Sequence, residues 1–67
     1  MPNWQSVDEA YAGLMAVQKT FEECLDIVIR HRNGGALPAL EILAAEVDKL
    51  TRLLLAALGA QAAANAT

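Results

Sequence analysis

Asn33-Gly34-Gly35-Ala36-Leu37-Pro38 is the stretch that decides the fold. Two adjacent glycines interrupt any regular element, and a proline just beyond them sits where a helix can start without needing its missing N–H. On either side lies an apolar pattern at helical spacing, from Val7 to about Arg32 before the break and from Leu40 to about Leu58 after it. One break between two stripes in a chain of 67 residues predicts a single all-α domain. It is an antiparallel hairpin with one helix over about 6–33, a Gly34-Gly35 loop and a second helix over about 37–64.

Working back from the loop, Val7, Leu14, Phe21 and Val28 recur every seven residues. Ala10, Val17, Cys24 and His31 follow three later, and Tyr11, Gln18, Leu25 and Arg32 four later. Together they make the broad apolar face of a bundle helix. Asp8, Glu9, Lys19, Glu22, Glu23, Asp26 and Arg30 occupy the other face, with Asp26–Arg30 and Lys19–Glu23 spaced as ion pairs one turn apart. Ser6-Val7-Asp8-Glu9 has the pattern of a capping box that starts the helix after a short leader, Met1 to Gln5. Arg30, His31 and Arg32 fill the expected last turn, with Gly34 as the left-handed residue that ends it.

Beyond the loop, Leu40, Val47 and Leu54 form one row, Leu43, Leu50 and Ala57 a second, and Ala44, Thr51 and Leu58 a third. Gly59 offers a stop, but the alanines after it favour a fraying continuation to about Ala64. Antiparallel packing about the glycines pairs residues whose numbers sum to about 71, so that large side chains meet small or branched ones. Phe21 then meets Leu50, Leu14 meets Ala57, Val28 meets Leu43, and Val17 or Gln18 meets Leu54.

This pairing does not use up the apolar residues. Met15, Ile27, Ile29, Ile42, Leu53 and Leu55 lie off the main stripes, and Leu53-Leu54-Leu55 cannot all face one neighbour. A chain this small is commonly stabilised by disulfides, metals or association. The single Cys24 makes no internal bridge, and the single His31 makes no Cys/His zinc set. Association remains, and a dimeric four-helix bundle is the expected form. Leu14, Phe21, Leu25, Val47, Leu50, Leu53, Leu54, Leu55 and Leu58 are the candidate interface residues.

The rest of the sequence excludes more than it suggests. Hydrophobic residues make up 55% but aromatics only 4%, so the apolar mass is Ala and Leu, as in helical bundles. No Glu-x-x-His spacing supports a carboxylate metal site, no glycine-rich loop leads into Lys-Ser or Lys-Thr, and Cys24 falls on the apolar stripe as a free thiol. No catalytic residue, cofactor or metal ligand is expected. A net charge of −3 argues against nucleic acid, and against a membrane surface, which calls for a basic polar face. Arg30-His31-Arg32 is the only cationic cluster, a weak basic tip.

In architecture alone the hairpin resembles the RNA-binding ROP hairpins, and the resemblance carries no residue across. With neither a secretory signal nor a spanning segment in the sequence, the expectation is a cytoplasmic protein that acts by protein–protein interaction, as a self-associating adaptor, regulator or subunit. The alternatives are an obligate heteromeric or chaperone-like partner for another helix and, after it, a ROP-like RNA-binding hairpin dimer.

The pairing is testable at its centre. Truncating Phe21 or Leu50 to Ala should cost about 2–5 kcal/mol by chemical denaturation. Glu22→Ala, one residue away, should change stability by no more than about 0.5 kcal/mol.

Overall fold

The computed structural model describes residues 4–66. They form α1 (Trp4–Arg30), a 3-10 turn (Gly34–Ala36) and α2 (Leu37–Asn65). At 1.5 Å per residue the helices are about 40 and 43 Å long. They pack side by side in a rod of 52 × 14 × 12 Å, two helices wide and one helix thick. Gly59 does not interrupt α2, which runs on through the alanines to Asn65.

The core lies along two rows on each helix. Written as a repeat abcdefg with Val7 and Leu40 at a, the a positions are Val7, Leu14, Phe21 and Val28 on α1 and Leu40, Val47, Leu54 and Gln61 on α2. The d positions are Ala10, Val17 and Cys24, and Leu43, Leu50 and Ala57. Every one of these is buried or half-buried, whereas Ala64, the next d position on α2, is exposed. Val7, Leu14 and Gln61 are the buried ones, and all three lie in the half of the rod away from the loop. No described side chain is completely enclosed.

Several local expectations are corrected. Ser6 lies inside α1 and cannot be its N-cap; residues 1–3 of the expected leader lie outside the described residues, and Trp4 and Gln5 belong to the helix. Glu9 accepts instead from the Gln5 side-chain amide at 3.2 Å. Tyr11 does not belong to the covered stripe, being 54% exposed. α1 ends at Arg30 and not near residue 33, so His31 and Arg32 are not part of its last turn. Asp26 and Arg30 do pair, at 2.7 Å, whereas Lys19 and Glu23 do not. A second pair, Asp48 with Arg52 at 3.0 Å, takes the same one-turn spacing on α2. Such exposed pairs add only about 0.3–0.5 kcal/mol each.

The loop is built differently from the expected glycine cap. The left-handed residue is Arg32, with φ 51°, and no glycine has positive φ. Asn33 then turns the chain: its side-chain oxygen accepts from the Gly35 N–H at 3.0 Å and its carbonyl from the Ala36 N–H at 3.2 Å. Gly35 suits that close approach, since a Cβ there would stand 3.1 Å from the Asn33 side-chain oxygen, which would have to give by a few tenths of an ångström. The Cys24 thiol donates toward the Ala36 carbonyl at 3.8 Å and ties α1 to the turn. Pro38 occupies the first turn of α2, where no N–H is required.

A side chain at a left-handed position is strained, and glycine relieves the strain. Arg32→Gly should therefore leave helicity unchanged and stabilise the protein by roughly 0.5–1 kcal/mol, read as a rise of several degrees in Tm.

Candidate interaction interface

The accessible surface is 4922 Å², about a fifth more than the roughly 4,100 Å² typical of a compact monomer of this mass. Much of the excess is apolar. Trp4, Tyr11, Met15, Ile27, Ile29, Leu37, Ile42, Leu53, Leu55 and Leu58 are all exposed, from 38% at Leu58 to 70% at Ile42.

Helix geometry sorts these ten residues onto two sides. The antiparallel helices are exchanged by a local two-fold axis perpendicular to the plane that contains them. That operation keeps each face of the hairpin on its own side, so the same repeat letter marks the same face on both helices. Trp4, Tyr11, Leu37 and Leu58 fall at e, and Met15, Ile29 and Leu55 at b. Ile27 and Leu53 fall at g, and Ile42 at c. One broad face thus carries seven of the ten, and the opposite face carries three.

The larger face has an uneven relief. Trp4, Tyr11, Met15, Leu55 and Leu58 cluster toward the end away from the loop, and Leu25, Ile29, Ala44 and Leu37 toward the loop. Gln18, Thr51, Glu22 and Asp48 lie between the clusters. Toward the loop, Glu22, Leu25, Asp26, Ile29 and Arg30 line a shallow groove of about 190 Å³ on α1. The opposite face includes Gly13 and Thr20; nothing stands within 4 Å of a Cβ built on Gly13, so the hairpin itself does not use it for close packing.

The expected interface residues divide accordingly. Leu14 is buried within the hairpin, and Phe21, Leu25, Val47, Leu50 and Leu54 are half-buried. Leu53, Leu55 and Leu58 are exposed, Leu53 on one face and the other two on the opposite one. At the basic tip, Arg30 is held by Asp26, while His31 and Arg32 lie exposed in the chain after α1. Sequence reasoning missed Gln61, only 4% exposed. Its signal was the row Leu40, Val47, Leu54, whose next member is Gln61. Leu37 and Trp4 were missed because each lies at the end of a stripe.

Among the described residues, no group of three or more His, Cys, Asp or Glu side chains is placed to hold a metal ion, and no helix is long and apolar enough to cross a membrane. No protein family, curated protein or solved structure matches the chain.

Trp4, 52% exposed on the larger face, is the only tryptophan and so reports on that face directly. Its emission should move to shorter wavelength as protein concentration rises, because covering the indole removes it from water. Titrating concentration at constant buffer checks this.

Proposed function

We propose that the protein is a non-catalytic protein–protein interaction module, an adaptor, regulator or subunit whose hairpin associates with a second copy as a four-helix bundle. The observation that carries this reading is the combination, among the described residues, of ten exposed large apolar side chains with no fully enclosed one. Single exposed apolar residues are ordinary on a monomer, but seven on one face, in a cluster at each end of it, mark an interaction surface. Removing each such leucine from water is worth roughly 1.5–3 kcal/mol, against the few kcal/mol that a core of this size supplies.

The smaller apolar face, with Ile27, Ile42 and Leu53, supports a heteromeric role beside self-association, since it stays open when the larger face is covered. Its docked partner would be another apolar helix face.

Folding linked to association makes Tm depend on concentration. Sedimentation equilibrium should give twice the 7.1 kDa chain mass, and Tm should rise over a hundredfold concentration range. A monomer with a concentration-independent melt would overturn the reading.

A further inference from the structure

Resting on the self-association proposed above, we infer that the face carrying Trp4, Tyr11, Met15, Ile29, Leu37, Leu55 and Leu58 is covered by a second copy turned end for end, α1 against α1 and α2 against α2, with the two loops at opposite ends. Three features of the chain specify this occupant and orientation.

The first is area. Seven large side chains between 38% and 62% exposed, with Ala44, Thr51 and Ala62 among them, offer on the order of 800 Å², the share one partner contributes to a standard interface. The opposite face carries three such large side chains, Ile27, Ile42 and Leu53.

The second is relief. The large knobs Tyr11 and Met15 lie on one half of α1, and the groove lined by Glu22, Leu25, Asp26, Ile29 and Arg30 lies on the other half of the same helix. A two-fold axis across the rod near Gln18 brings the Tyr11 ring of one copy to the groove of the other, and the reverse. Self-complementary surfaces of this kind close as isologous dimers. The groove also offers the Tyr11 hydroxyl carboxylate acceptors, at Glu22 and Asp26.

The third is charge. With the loops at the same end, α1 of one copy would face α2 of the other at equal height, setting Glu22 against Asp48 twice. Like charges placed together at an interface oppose that arrangement. The end-for-end dimer puts Glu22 near the level of Leu14 and Met15, and Asp48 near the level of Ala57 and Leu58.

Leu55→Arg and Leu53→Arg test the face, because the two leucines are similarly exposed, 62% and 51%, on opposite sides of the hairpin. Leu55→Arg should weaken the dimer about 100-fold or more, since each change acts twice across the two-fold. Leu53→Arg and Gly13→Ala should keep the dimer mass. Loss of helicity together with the dimer in Leu55→Arg supports the assignment, provided Leu53→Arg retains both. Equal effects of the two arginines, or loss of the dimer only in Leu53→Arg or Gly13→Ala, would overturn it.

Orientation is read from a nitroxide on Gly34→Cys in a Cys24→Val background, where a Cβ meets nothing within 4 Å. The label-to-label distance should approach the 52 Å rod length. A distance of one bundle width would overturn the end-for-end arrangement. Should the unaltered chain be a monomer at every concentration, the self-association reading fails instead.

Discussion

Each helix of this protein has one neighbour, and the rest of the structure follows from that. A helix packed on a single partner covers only the strip where the two touch. The a and d rows of α1 and α2 fill that strip, and even there most side chains are half-buried. Residues one position to either side are at best half-buried, as Gln18, Leu25, Glu46 and Thr51 are, and most remain exposed. The apolar composition was therefore never going to be satisfied inside one hairpin, and longer helices would not have changed this, because length adds strip and flank in proportion.

Electrostatics contributes little to holding the hairpin together. The ion pairs Asp26–Arg30 and Asp48–Arg52 lie within single helices on exposed faces, where they support helicity and not packing. Thr51, whose hydroxyl donates to the Val47 carbonyl at 2.7 Å, satisfies itself locally in the same way. A small polar cluster links elements at the turn, where Asn33 organises the backbone and Cys24 reaches the Ala36 carbonyl. Helix pairing rests on apolar contact, with the turn setting where that contact begins.

Much of this was legible in the sequence. The two helices, the break at Asn33-Gly34-Gly35, the role of Pro38 and the seven-residue rows follow from spacing and backbone chemistry, and α2 begins at Leu37 as expected. What spacing alone does not decide is how much of a stripe one neighbour covers, which is why Tyr11 reads as core and is exposed. Nor does residue type decide a cap. Gly34 is the residue best suited to a left-handed position, yet the chain turns two residues earlier at Arg32, because the Asn33 side chain can then close the turn over Gly35. Gln61 was overlooked for the opposite reason, a polar residue hidden on an apolar row. The sidedness of the exposed residues was present in the repeat letters, but it emerges only when both helices are considered together with their antiparallel course.

The distribution of burial along the rod also has a mechanical side. At one end the helices are joined by the chain itself, and they cannot drift apart there. At the other end no covalent link opposes splaying, and the two-helix fork would open first at its tips. Val7, Leu14 and Gln61, the most enclosed residues of the described chain, are found in that half. The burial that these residues provide thus falls in the half of the rod where no covalent link joins the helices.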